Sequence, residues 1–127
     1  MATLTTEKPR TITFVQIAVG AQTLALFFQA VTAGMLLSSS HGELLHGIGA
    51  RVMYGASMLY VLAAVLAWRP GGGSPRPILY ASGFLVLASA QVVLGIARVA
   101  SVHVPLGVLM FALSLLALNR VPSARLS

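Results

Sequence analysis

The residues in this chain whose types suggest chemistry are two histidines and the charged residues near one of them. Glu43, His46 and Arg51 fall within nine residues, in a chain with only two acidic residues. They stand at the entrance to a long apolar segment, where ionisable groups are costly to keep and are therefore candidates for function. His103 stands at the start of another apolar segment. We therefore interpret His46 and His103 as a functional pair.

The composition indicates that these residues lie in a membrane. Of 127 residues, 57% are hydrophobic and 8% are charged, whereas a soluble domain carries about a quarter charged residues. The net charge is +6, but the basic residues are scattered, so we predict a lipid bilayer as partner and no nucleic acid. The absence of cysteine excludes disulfides, iron–sulfur clusters, thiolate ligation and covalent c-type haem attachment.

Four apolar segments are each long enough to cross a bilayer as a helix. The pattern predicts one all-α domain, an up-down-up-down four-helix membrane bundle with spans at about 13–37, 43–68, 78–97 and 103–118. Short tails, 1–12 and 120–127, flank the bundle. Only 99–102 separate the last two spans, so these should be antiparallel neighbours.

Basic residues indicate which side of the membrane holds the termini. Four spans place both tails and the Gly-rich loop after the second span on one side. That side collects six basic residues, and the positive-inside rule makes it cytoplasmic in a multi-pass protein of the cell membrane. The six are Lys8, Arg10, Arg69, Arg76, Arg120 and Arg125.

Polar and small residues inside the spans indicate close packing or a bound group. Gln22 and Gln29 fall on one face of the first span, and we expect them to point into the bundle and find partners there. One side of the second span carries only small residues, namely Gly47, Gly49, Ala50 and Gly55. Either another helix packs closely there, or something bulky lies against it.

The predicted bundle places His46 and His103 at similar depth on diagonal helices. Neighbouring helices pack about 8–10 Å apart, and the diagonal is roughly 1.4 times longer. Two inward-pointing imidazoles with a flat macrocycle between them suit this gap, whereas two histidines and a distant glutamate suit zinc poorly. The alternative is that both histidines are hydrogen-bonded packing residues. His41, in the polar loop before the second span, is expected to be solvated.

Arg51 and Arg98 are the only basic residues on the non-cytoplasmic half, and a charge there needs neutralising. The propionates of a haem would serve both. Alternatively, Glu43 pairs with one arginine while the side chains extend towards the interface.

Three stretches resemble the haem A synthase family. Glu43-Leu44-Leu45-His46 followed by Gly49-Ala50-Arg51 resembles the Glu-x-x-His-Arg-x-x-Gly-Arg type stretch of its second helix, although Gly47 replaces the usual arginine and the glycine is displaced by one. Gln91-Val92-Val93-Leu94-Gly95 is similar to the Gln-x-x-x-Gly stretch of its third helix. Val102-His103-Val104-Pro105-Leu106 resembles the histidine entrance to the fourth. The resemblance covers about 14–119, one half of that family's tandem pair of bundles.

The resemblance implies that His46 and His103 are axial haem ligands and that Glu43 takes the place of the catalytic carboxylate. The cofactor implied is haem b, with haem O and haem A as alternatives. Because the chain has one bundle where the family has two, it either dimerises into a complete pair or acts in electron transfer alone. The rival expectation is a cofactor-free accessory subunit in a larger membrane complex.

Overall fold

Four long helices make up almost all of the computed structural model, which describes residues 10–121 and 124–125. Each helix is long and apolar enough to cross a membrane, which confirms the expected all-α membrane bundle. The remainder of both tails lies outside the described residues. The helices are α1 (Phe14–Met35), α2 (Gly42–Trp68), α3 (Arg76–Ile96) and α4 (Ala100–Arg120).

The helices are arranged as a square in chain order. α1 packs against α2 and α4, and α3 packs against the same two neighbours. Among the described residues, no close backbone contact joins α2 to α4, so these two helices lie diagonally across the core. The segments outside the helices pair as two-residue strands, β1 (Arg10–Thr11) and β2 (Ala124–Arg125), in antiparallel register. Both ends of the bundle's chain therefore lie on one side.

The start of α1 is fixed by a reciprocal cap that also reaches α4. The Thr13 hydroxyl accepts the N–H of Gln16 at 3.2 Å, and the Gln16 side-chain oxygen accepts the N–H of Thr13 at 2.9 Å. This capping box satisfies two backbone donors that a helix start leaves open. The Gln16 amide also donates to the Val121 carbonyl at 3.3 Å, which joins the first helix to the end of the last.

The turn between α3 and α4 is shorter than the sequence suggested. Arg98 has a left-handed φ of 57°, and the N–H groups of Arg98 and Val99 donate to the carbonyls of Gly95 and Leu94. These are the two bonds of a Schellman motif, which closes a helix within two residues. α4 consequently begins at Ala100, and Pro105 lies inside it, in the second turn rather than the first.

The core between the helices mixes small apolar residues with a few hydrogen-bonded polar ones. Tyr60 and Met110 are the largest of the fully buried side chains. A Thr23–Ser114 bond joins α1 to α4, and a Tyr54–Ser89 bond of 3.1 Å joins α2 to α3. Because lipid is as apolar as the helix surfaces, such bonds and close packing hold a membrane bundle together.

Candidate functional site

His46 of α2 and His103 of α4 meet across the diagonal of the bundle. Their ring centroids are 6.1 Å apart and the ring planes are inclined at 70°. Both side chains are partly buried. They lie towards the end of the bundle opposite the chain termini, near the starts of their own helices. The structure thus brings together the two residues that the sequence paired.

A hydroxyl group of α1 holds the His46 ring. The Nδ1 atom of His46 lies 3.0 Å from the Thr32 hydroxyl oxygen. That hydroxyl has two acceptors for its own hydrogen, the carbonyl of Gln29 at 3.1 Å and the Gln29 side-chain oxygen at 3.2 Å. When that hydrogen goes to either of these two oxygens, the lone pairs of the hydroxyl are left to accept from His46 Nδ1–H.

Gly49 of α2 makes room for the Gln29 side chain in this group. A Cβ atom at Gly49 would overlap the Gln29 side-chain oxygen and approach its Cδ at 3.1 Å. The missing side chain allows the Gln29 amide to lie against the α2 backbone, where it reaches Thr32. One glycine therefore supports His46 indirectly, through two residues of α1.

A backbone carbonyl of α3 holds the His103 ring. Nδ1 of His103 lies 3.0 Å from the Gln91 carbonyl oxygen, and because a carbonyl only accepts, Nδ1 carries the hydrogen. The ring lies against Gly95, one turn further along α3, where a Cβ atom would be 3.3 Å from the His103 Cε1. A side chain at this position would press on the imidazole.

His103 therefore keeps Nε2 as its unprotonated nitrogen, the form that binds a metal, and His46 does the same when the Thr32 hydroxyl accepts from its Nδ1–H. Metal-binding histidines usually donate the other ring N–H to a carbonyl or a similar acceptor. An imidazole nitrogen binds a first-row metal at about 2 Å, so with ring radii of about 1 Å two rings on opposite sides of one ion have centroids roughly 6 Å apart. The observed 6.1 Å is compatible with this arrangement, and it also falls within the range of about 4.5–7 Å for aromatic rings that simply pack edge to face.

The donor set fits haem iron better than a metal held by protein alone. Among the described residues, no group of three or more His, Cys, Asp or Glu is placed to hold a metal ion. A haem supplies four nitrogen ligands itself and requires only one or two further ligands from the protein. Two histidines are sufficient for that purpose and insufficient for a structural zinc site.

The charged residues proposed from the sequence lie at the surface of the bundle. Glu43, Arg51 and Arg98 are all exposed, as is His41. Glu43 is one turn before His46 in the first turn of α2. His41 is the N-cap residue of α2, and its backbone N–H donates to the Ser39 hydroxyl at 3.2 Å. The two histidines are thus partly buried, whereas the charged residues proposed with them are exposed.

Sequence reasoning missed Thr32 and the role of Gly95. A threonine inside an apolar span carries no signal by itself, although its position three residues after Gln29 on one helical face was a usable clue. The expectation for Gln22 was half wrong. Its side chain is fully buried, but neither of its amide atoms has a partner among the described residues.

No family model, curated protein or solved structure matches this chain.

Proposed function

We propose that the chain is a membrane b-type haem protein in which His46 and His103 are the two axial ligands. The observation that carries this proposal is the pair itself, with ring centroids 6.1 Å apart and both Nδ1 atoms already engaged. The architecture proposed is similar to one half of a haem A synthase. The role is electron transfer or oxidation of a haem substituent, and a single bundle favours electron transfer.

The chain's own residues would do three things for the cofactor. His46 and His103 would hold the iron through their Nε2 atoms, and Thr32 and the Gln91 carbonyl would keep the rings in the required tautomer. The apolar residues of the bundle exclude water. The haem supplies one-electron redox chemistry, and its type is haem b, with haem O and haem A as the alternatives.

Arg51 and Arg98 are proposed to bind the haem propionates. Guanidinium groups form paired, charge-assisted hydrogen bonds with carboxylates, and both arginines lie on the half of the bundle that holds the histidines. Arg98 keeps a left-handed φ of 57°, which is unfavourable for a side-chain-bearing residue. That conformation belongs to the Schellman turn at the end of α3, which fixes where this arginine leaves the helix.

An absorption spectrum of the purified protein tests the cofactor. We expect a Soret band and a six-coordinate low-spin spectrum in the wild type. His46→Ala and His103→Ala should each abolish tight haem binding. His41→Ala is the matched control, since it removes an exposed imidazole near the same helix end, and it should leave the spectrum intact. A wild type without a Soret band, or ligand variants that stay six-coordinate, would refute the proposal.

The site is further proposed to lie near the outer face of the cell membrane. Arg69, Arg76 and Arg120 stand at the same end of the bundle as the termini, and the positive-inside rule makes that end cytoplasmic. A cysteine introduced at Ser39 should react with an impermeant reagent in intact cells, and one at Ser74 should not. The reverse labelling pattern would place the histidines near the cytoplasm instead.

A second candidate is a cofactor-free subunit of a larger assembly, either a homo-oligomer or a complex with other membrane proteins. It is favoured by a stripe on α2 in which Gly47 and Gly55 flank Arg51, all three exposed. A Cβ atom at either glycine would meet nothing within 4 Å, so another helix can approach closely there. A defined oligomer without visible absorption, disrupted by Gly47→Leu, would favour this candidate over the haem protein.

A further inference from the structure

The centre of the bundle contains a fully buried amide with no partner. Gln22 of α1 is 0% exposed, and both its Nε2 and its Oε1 lack a hydrogen-bond partner among the described residues. In a membrane interior no bulk water can compensate, so an unpaired amide costs free energy at each of its polar atoms. A group that satisfies this side chain must both accept from its Nε2 and donate to its Oε1.

The helix register places hydroxyl groups at the same level. Thr32 contacts His46, and Gln29 lies against Gly49, so α1 and α2 run antiparallel in one register. Seven residues back along α1, from Gln29 to Gln22, correspond to about seven residues forward along α2 from Gly49. Ser57 of α2 therefore lies at about the level of the Gln22 amide. On the α4 side, Thr23 bonds to Ser114. Ser57 and Ser114 are both fully buried.

These hydroxyl groups have already used their hydrogens. Ser57 donates to the Met53 carbonyl at 3.1 Å, and Thr23 donates to the Val19 carbonyl at 2.8 Å. Since the Thr23 hydrogen is engaged, Ser114 must be the donor in the Thr23–Ser114 bond. Only the oxygen lone pairs of these three hydroxyl groups remain. The groups can therefore accept a hydrogen bond from the Gln22 Nε2, but they have no hydrogen to donate to its Oε1.

We propose that Gln22 and Ser57 form a binding site for an internal water molecule at the centre of the bundle. Water donates two hydrogens and accepts through two lone pairs. It can therefore donate to the Gln22 Oε1 and to a Ser57 lone pair while it accepts from the Gln22 Nε2. Buried waters typically make about three such bonds to polar groups that are otherwise unsatisfied. The site is separate from the histidine pair and does not depend on haem.

Nuclear magnetic resonance of the protein in lipid nanodiscs tests this site. A magnetisation-transfer cross-peak is expected between the Gln22 side-chain amide protons and the water signal, with the sign of a bound water. Ser57→Ala should abolish the cross-peak. Ser89→Ala, which removes a hydroxyl bonded to Tyr54 at another level, is the matched control and should preserve it. Absence of the cross-peak in the wild type, a cross-peak to lipid protons instead, or one unchanged in Ser57→Ala would overturn the proposal.

The stability of Gln22→Met provides a second measurement that does not depend on the Ser57 variant. Methionine keeps the length of the side chain and removes its polar atoms. If water satisfies the amide, this variant loses hydrogen bonds and its melting temperature falls. If the site is dry, the variant removes two unpaired polar atoms and its melting temperature rises, which would also overturn the proposal.

Discussion

His46 and His103 reach the same site from diagonal helices, but different kinds of group hold them. His46 bonds to a side chain, the Thr32 hydroxyl, which is itself held by Gln29. His103 bonds to a backbone carbonyl, that of Gln91, and lies directly against Gly95. A carbonyl is set by the helix and cannot rotate, whereas a hydroxyl depends on its own rotamer. The α3 side of the site is therefore the rigid one and the α1 side the adjustable one.

This difference indicates where substitutions act. On the His103 side no side-chain change removes the hydrogen bond, so the imidazole can be displaced only by adding atoms next to it. On the His46 side the bond can be deleted without adding any volume. The His103 side is therefore tested by a variant that adds volume, and the His46 side by a variant that removes a hydrogen bond.

The largest effect is expected from Gly95→Val. Because a Cβ atom there already lies 3.3 Å from the His103 ring, the two further methyl groups must displace the imidazole. Disturbing the support of a metal ligand typically lowers metal affinity about 10- to 100-fold, and haem titration of the apoprotein measures this loss. Gly83→Val on the same helix is the control, since a Cβ atom at Gly83 meets nothing within 4 Å. Equal affinities in the two variants would show that Gly95 does not position His103.

A smaller effect is expected from Thr32→Val, which keeps the shape of the side chain and removes the partner of His46 Nδ1. If His46 binds haem iron as proposed, the lost hydrogen bond makes it a weaker donor, which disfavours the ferric state and raises the midpoint potential. A bond worth about 1 kcal/mol corresponds to a few tens of millivolts, since a tenfold change is about 59 mV for one electron.

Redox titration of Thr32→Val and of Thr23→Val provides the comparison. Thr23 also bonds inside the bundle, but to Ser114, and its loss should leave the potential unchanged. If both variants shift the potential alike, the effect reports general loosening of α1 rather than the bond to His46.

Arg98→Gly tests the turn that leads to the His103 side. Glycine removes the left-handed penalty of about 1–2 kcal/mol and costs about 0.5–1 kcal/mol in backbone entropy. A net gain of about 0.5–1 kcal/mol in unfolding free energy is expected from the same two terms. If Arg98 binds a propionate, haem affinity should fall while the apoprotein becomes more stable. A variant that gains stability and keeps full affinity would remove Arg98 from the site.

The fold was largely predictable from the sequence, because four long apolar segments with few internal charges leave few alternatives. The pairing of His46 with His103 was predictable as well, since short connections fix which helices are diagonal. The groups that bond to the two histidines could not be predicted from the sequence. A backbone carbonyl has no sequence signal, and Thr32 looks like any other residue of an apolar span. Arg98 closing α3 in a left-handed turn was also unpredictable, because that position usually takes glycine.

The smallest effect is expected from Glu43→Gln. Its carboxylate is exposed one turn before His46, so solvent and salt screen its charge. In an electron-transfer protein the loss of a negative charge should raise the midpoint potential by less than Thr32→Val does, and the shift should shrink as salt is added. Glu7→Gln, which removes the chain's other acidic side chain from the N-terminal tail, is the matched control.

In a haem-modifying enzyme the outcome of Glu43→Gln differs, because a carboxylate at the reacting carbon stabilises developing positive charge or accepts a proton. Mass analysis of the extracted haem then separates the two roles. Hydroxylated or formylated haem in the wild type and only haem substrate in Glu43→Gln would make the chain an enzyme, and the same haem in both would leave electron transfer as its function.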